Sequence, residues 1–257
     1  MQRWDGAEFS LETDELADES IVQLALNGSV LSTVLATNRD LDALAVGHLA
    51  CEHGPNIVGD IENVECNLSD GIHHVAVTTN NGLVIKPRPG LITTSCGACE
   101  ASERTRLVHV VERVDDLPQT IDLAELLEAM PRLTEHQPLF SKTGGVHAAG
   151  LLYSFEAEDG LLREDIGRHN AVDKVVGAHL LSARYDRPMV LTLSGRCGWD
   201  IVAKAARMNI PIIASIGAAS HLAAETARAC GITLVTFGRQ GKGTVIGPVQ
   251  GRFQGKD

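Results

Sequence analysis

Between Met189 and Phe237 the sequence alternates between short apolar runs and amphipathic stretches, and few topologies accept that order. The expected elements are a strand over Met189 to Leu193, a helix over Asp200 to Met208, a strand over Ile210 to Ser215, a helix over Ser220 to Cys230 and a strand over Ile232 to Phe237. A β-α-β-α-β series implies parallel strands joined by right-handed crossovers, with the helices covering the sheet. Parallel sheets bind ligands beyond the carboxyl ends of their strands. Those ends here read Ser194-Gly195-Arg196, Ser215-Ile216-Gly217 and Phe237-Gly238-Arg239. Small residues and arginines thus meet on one rim, where Arg196, Arg239 and Lys242 suit phosphate groups. Neither a Walker A string nor G-x-G-x-x-G accompanies them, so the rim predicts an anionic ligand and leaves its base open.

Composition limits the rest. A chain of 257 residues with 44% hydrophobic residues can bury one large core, or a large and a small one. The N-terminus, MQRWDGAEFSLETDELADES, is acidic and polar, unlike a signal peptide, and no apolar stretch reaches spanning length. A cytoplasmic location without a membrane partner is expected. A net charge of −11 argues against a general nucleic-acid binder, because phosphate neutralisation needs a basic face. The six cysteines (51, 66, 96, 99, 197 and 230) form no dense framework and read as reduced thiols, with Cys51, Cys66 and Cys230 as ordinary core or surface residues.

Residues 1–20 show little periodicity and are expected to be a frayed tail. Residues 21–90 read as a β-rich subdomain. Asn27-Gly28-Ser29 between two apolar runs signals a hairpin, and Thr37 with Asp40 three residues on signals a helix start running to Gly54-Pro55. Ile57 to Leu68, Ile72 to Thr79 and Leu83 to Lys86 then suggest an antiparallel meander, with His73 and His74 as plain strand residues. After Pro87-Arg88-Pro89-Gly90, residues 91–257 read as an α/β domain. Within it Asp122 to Met130 predicts a helix ended near Pro131, and His147 leads a strand through Ser154.

Three segments carry chemistry. Thr93-Thr94-Ser95-Cys96-Gly97-Ala98-Cys99-Glu100 is a Cys-x-x-Cys turn delivered by an expected short strand, Leu91 to Thr94. This spacing allows a disulfide, a redox dithiol, half of a zinc site or a sulfur relay through a persulfide, beside a purely structural reading. The small Gly97 and Ala98 leave the sulfurs uncovered, and such turns depress thiol pKa, which makes a nucleophile. In Phe140-Ser-Lys-Thr-Gly-Gly-Val-His, Gly144 and Gly145 let backbone approach a ligand closely, with His147 beside them. The third, Glu164-Asp-Ile-Gly-Arg-His-Asn-Ala-Val-Asp-Lys174, opens a helix whose free N–H groups suit an anion, with Arg168 and His169 as further donors. Asp165, Asn170 and Asp173 also read as caps and surface residues.

Assembled, LATNRDLDALAVGHL, SCGACE, FSKTGGVHAAGL, EDIGRHNAVDKVVG, SGR with KAARMNIPIIAS, and GITLVTFGRQGKG resemble the FdhD family of formate dehydrogenase accessory proteins, in order from about residue 20 to 247. The resemblance implies a sulfurtransferase that takes sulfur from a cysteine desulfurase and passes it to the molybdenum bis(molybdopterin guanine dinucleotide) cofactor for the formate dehydrogenase catalytic subunit. It implies a cytidine deaminase-like α/β fold, a three-layer sandwich with the smaller β-rich N-terminal subdomain, and a homodimer. Carried over by position, Cys96 forms the persulfide and Cys99 is its partner in the loop. Phe237, Gly238, Arg239, Gln240, Gly241 and Lys242 match the cofactor-binding segment, with Gly144, Gly145, His147, Arg168, His169, Ser194 and Arg196 expected around it. GDP is expected to mimic the cargo, and no resident metal is expected. Glu100 departs from the family's usual glycine after the second cysteine, and a carboxylate there would raise the thiol pKa.

Two other readings are weighed against this one. A cofactor chaperone would use the same rim without covalent transfer, with the cysteines as metal ligands. A zinc deaminase would need His-x-Glu, and none of the ten histidines is followed two residues later by Glu.

Overall fold

The computed structural model describes residues 1–83, 85, 91–92, 111–155, 159–182, 184 and 186–254. The first twenty residues, expected as a frayed tail, contain an antiparallel hairpin of β1 (Gln2–Trp4) and β2 (Phe9–Leu11). Its turn is local chemistry: the Asp5 carboxylate accepts from the N–H of Ala7 at 2.9 Å and of Glu8 at 3.0 Å, which also holds its pKa down.

A second hairpin follows, β3 (Ser20–Leu26) and β4 (Ser29–Ala36), turning at Asn27 (φ 47°) and Gly28 (φ 81°), the left-handed pair that a two-residue turn needs. Helix α1 (Leu41–His53) does not use Thr37 as its cap. Asp40 takes that place at φ 50°, while the Thr37 N–H and hydroxyl each donate to Asp165 at 3.0 Å. A partner distant in sequence thus displaces the local capping pair.

A 3-10 turn (Pro55–Asp60) leads into β5 (Ile61–Ser69) and β6 (Ile72–Thr79). The expected antiparallel meander is instead a mixed sheet in the order β5-β6-β3-β4-β7, where β7 is Leu91–Ile92. The helix between β4 and β5 returns the chain so that β5 runs in the direction of β4. Its hairpin partner β6 then lies parallel to β3, and β7 lies parallel to β4. Leu83 and Ile85, expected in a further strand, belong to none. Val22, Leu24, Leu26, Val34, Val75 and Val77 of this sheet pack against Leu41, Leu44, Ala45 and Leu49 of α1 in one core.

Helix α2 (Leu123–Glu135) starts on Asp122, whose side chain accepts from the Ala124 N–H at 2.7 Å. It was expected to stop near Pro131 but runs through it. An internal proline removes one bond and costs about 3 kcal/mol, which burial of Leu126, Leu127 and Met130 on the sheet offsets. Short α3 (Pro138–Thr143), β8 (His147–Leu152), β9 (Gly160–Asp165) and α4 (Arg168–Leu181) lead into the alternating region. There β10 (Val190–Leu193), α5 (Trp199–Arg207), β11 (Ile212–Ser215), α6 (His221–Cys230) and β12 (Thr233–Arg239) follow the predicted order, closed by β13 (Lys242–Ile246).

The second sheet runs β13-β12-β11-β10-β8-β9, with β10, β11 and β12 mutually parallel as the alternation requires. Successive residues serve opposite faces. Leu191, Ile213 and Leu234 join a core with α4, α5 and α6, while Val190, Ile212 and Val235 join another with α2 and Phe253. The result is a mixed α/β fold with helices on both faces of this sheet. Helix α1 bridges the two sheets by crossing α4 at glycines: a methyl on Gly47 would stand 1.8 Å from the Asp173 carbonyl oxygen, and one on Gly177 would stand 1.9 Å from that of Ala43.

Candidate functional site

The carboxyl ends of β10, β11 and β12 open into a cavity of about 630 Å³ whose wall includes Ser194, Ile216 and Gly238, one residue from each strand end. Gly144, Gly145 and His147 close one side, and Arg239 with Gln240 another. Sequence reasoning did not single out Pro131, Gln137, Phe140, Val146 and Ile216 as ligand contacts, though all line the space. Phe140, Val146 and Ile216 lie inside stretches that carried signal. Pro131 and Gln137 carried none, because they arrive through the uninterrupted α2 and its junction with α3.

Local folding explains the wall. Gly144 ends α3 at φ 63°, where its N–H reaches the Phe140 carbonyl at 2.7 Å. Ser194 ties strands together: its hydroxyl accepts from the Ala148 N–H at 2.8 Å. The Ser215 hydroxyl donates to the Gly195 carbonyl at 2.5 Å. Gly217 has no room for a side chain, since a methyl there would lie 2.8 Å from the same oxygen. The β12–β13 turn uses Gln240 (φ 51°) and Gly241 (φ 69°), which sets Arg239 opposite Lys242. Phe237 holds φ 55° with its ring 57% exposed and its N–H on the Gly217 carbonyl at 3.1 Å. A left-handed non-glycine residue costs about 1 kcal/mol.

Positive charge lies near enough to His147 to act on it. Burial holds the His147 pKa below its ordinary 6.5, and Arg168, His169 and Arg196 add to that depression. The ring is therefore neutral at pH 7. Arg168 has a buried Nε that finds no partner among the described residues, whereas His169 Nε2 meets the Asp200 carboxylate.

The other polar residues of the Glu164–Lys174 segment serve the fold. Asp165 accepts from Thr37, from the Gly167 N–H at 2.8 Å, from Asn170 at 3.0 Å and from Lys174 at 2.7 Å. Asp173, fully buried, is shared by His48 at 3.2 Å and Lys204 at 2.6 Å. Burial works against its charge, but Lys204 and His48 prevail and hold its pKa below 3.8. Burial likewise opposes the Lys204 charge, and Asp173 with Glu52 holds that ammonium well above its ordinary range. Glu164 accepts from the N–H groups of Leu139 and Phe140 at 2.9 and 2.8 Å, which fixes α3 beside the cavity.

Cys96 and Cys99 lie outside the described residues. The strand expected to deliver them is described over Leu91–Ile92, which pairs with Thr33 and Val34. The four described cysteines are free thiols, and burial raises the pKa of each: Cys51, Cys66, Cys197 and Cys230. No group of three or more metal-ligating side chains occurs among the described residues, and no described helix is long and apolar enough to cross a membrane.

Comparison with known proteins gives one consistent result. The sulfur carrier protein FdhD of Anaeromyxobacter dehalogenans (strain 2CP-C) is 35% identical over 249 residues, covering 88% of this chain and 84% of that protein. The protein of the same name from Streptomyces avermitilis is 36% identical over 246 residues (91% and 86%), and that from Sulfolobus acidocaldarius 36% over 238 (91% and 89%). A crystal structure described as that of a formate dehydrogenase accessory protein from Desulfotalea psychrophila shares the fold, with a TM-score of 0.77 at 23% identity over 99% of this chain and 97% of that one. The model of the FdhD/NarQ family matches residues 17–249. With match and relatives covering most of its length, the chain belongs to the FdhD/NarQ family.

Proposed function

We propose that this protein is a sulfur carrier that takes sulfur as a persulfide on Cys96 from a cysteine desulfurase and delivers it to the molybdenum bis(molybdopterin guanine dinucleotide) cofactor required by formate dehydrogenase. The observation that carries the reading is the cavity itself. It lies at the carboxyl edge of a parallel sheet, is lined by Gly144, Gly145 and Gly238, and has in its wall Arg239 and His147, on which the charges of Arg168 and Arg196 act. That combination suits a phosphate-bearing ligand whose apolar part lies against Phe140 and Ile216. Family membership adds relatives named sulfur carriers.

In the first step the Cys96 thiolate attacks the outer sulfur of the desulfurase persulfide, one S–S bond forms as another breaks, and the desulfurase leaves as a thiolate. In the second the S–S bond breaks as the outer sulfur bonds to the molybdenum of the cargo, two electrons from the reduced metal taking that sulfur to the sulfide level, and Cys96 is again a thiolate. Thiolate character is the requirement, and burial denies it to Cys51, Cys197 and Cys230. Cys99 serves as the second thiol of the loop. We read the protein as a homodimer, as the family resemblance implies. We read the fold, a sheet with helices on both faces, as cytidine deaminase-like. We place the protein in the cytoplasm, where thiols remain reduced.

Two measurements test the reading together. Calorimetry with GDP should show binding that Arg239→Ala weakens clearly. Cys96→Ala should still bind GDP but fail to produce active formate dehydrogenase. A Cys96→Ala protein that still activates its client would favour a chaperone without covalent transfer.

A further inference from the structure

The family match begins at residue 17, and the residues before it form a structure of their own. Strands β1 and β2 set Trp4 beside Phe9, with ring centroids 5.1 Å apart and planes tilted by 51°, and Met1 and Glu12 exchange backbone hydrogen bonds of 2.7 and 2.9 Å. Yet Trp4 is 55% exposed, Phe9 68% and Leu11 84%. A two-stranded ribbon in water is marginal by itself, and an aromatic cluster left open in this way marks a contact surface.

Its tether, reach and charge indicate the contact. Ala17 packs on Gly145, where a methyl on the glycine would stand 3.0 Å from the Ala17 Cβ, and Gly145 lines the cavity. The ribbon therefore leaves the body at the cavity's edge, a point fixed by Asp18, which accepts from the Asn38 N–H at 3.3 Å. Residues 12–16 connect ribbon to anchor, and five extended residues span about 17 Å, enough to lay the short ribbon across the opening. Residues 1–16 contain five carboxylates, Asp5, Glu8, Glu12, Asp14 and Glu15, against Arg3 alone, which pairs with Glu12 and Asp14. The cavity side offers Arg239 with Lys242 opposite it, and Arg168 and Arg196 beside His147. The nearby carboxylates are engaged, Asp165 by Lys174 and Asp200 by His169. Exposed Phe140, in the wall, and exposed Phe237, next to Gly238, provide an apolar counterpart for Trp4 and Phe9.

We propose that residues 1–16 are a tethered cap: without cargo, the acidic aromatic ribbon folds onto the cavity of its own chain and occupies the place of the polyanionic ligand, which displaces it on binding. The inference rests on the reading of the cavity as an anion site. Tethering gives the ribbon an effective concentration near the millimolar range, so a weak contact is enough to compete.

Pyrophosphate and GDP are the probes, applied to the full chain and to a chain lacking residues 1–16. At low salt both should bind the truncated chain about tenfold more tightly, and the difference should shrink as salt rises. Trp4 reports the cap directly, through the fluorescence difference between the full chain and Trp4→Phe. That signal should be blue-shifted and shielded from acrylamide in the free protein, then become red-shifted and quenchable as GDP saturates. Equal affinities for the two chains, with Trp4 open to acrylamide throughout, would overturn the cap. Shielding that grows with protein concentration would assign the ribbon to another copy and overturn the intramolecular contact. If neither probe binds either chain, the anion reading fails, and Trp4 still decides the cap: shielding at low salt that is lost at high salt supports it, and exposure at both refutes it.

Discussion

Asp173 shows how much of the polar signal in this sequence is structural. It is fully buried between His48 and Lys204, so removing it leaves an ammonium that is 1% exposed with Glu52, at 3.4 Å, as its remaining carboxylate. Asp173→Ala should cost about 3 kcal/mol in urea unfolding, the lower end for breaking a buried ion pair, because Glu52 still faces the ammonium. Because its folded pKa is depressed below the ordinary 3.8, its stabilisation is present above that pH and is lost as the pH falls through the folded value. The stability gap between wild type and Asp173→Asn should therefore be constant near neutrality and close only in acid. His147 has the same sign in a higher pH window. Its pKa is held below 6.5 by burial and by Arg168, His169 and Arg196, so the unfolded chain takes a proton below that pH that the native ring refuses, and stability declines from there. An anionic ligand reverses the bias and raises the His147 pKa. Pyrophosphate affinity should thus rise as the pH drops from about 7 to about 6 in wild type, and less so in His147→Gln, as calorimetry would show. Cys197→Ala and Cys230→Ala, both in the core, should cost about 1 kcal/mol of stability and leave sulfur loading intact.

At the scale of elements, the close crossing of α1 and α4 joins the two sheets. Gly47→Ala and Gly177→Ala each drive a methyl into an opposing carbonyl, so each should destabilise by about 3 kcal/mol or more and shift the urea midpoint accordingly. Neither glycine stands out in the sequence, since nothing local tells that the two helices meet there. The same limit hid the partners of Thr37, His48, Lys174 and Lys204, all set by contacts between distant segments. The parallel strands were legible, because their alternation with helices and their apolar runs are local properties. The cavity rim was legible for the same reason: once the strands are parallel, their carboxyl ends must meet, and Ser194, Gly238 and Arg239 do. Pro131 misled because burial of the surrounding helix outweighs one missing hydrogen bond. The mixed N-terminal sheet was not legible, because strand direction there depends on the path of α1.

For the whole molecule, the function we propose has sulfur arriving on the Cys96 thiol and leaving to a phosphate-anchored cargo. Cys51, Cys197 and Cys230 are ill suited to the task, since each is buried and burial raises its thiol pKa. The most direct test is mass spectrometry of the chain after incubation with a cysteine desulfurase and free cysteine, followed by digestion. One added sulfur, removable by reductant, should appear on the peptide containing Cys96 and Cys99 and be lost in Cys96→Ala. Absence of added sulfur from that peptide, or its appearance on those of Cys51, Cys66, Cys197 or Cys230, would contradict the account.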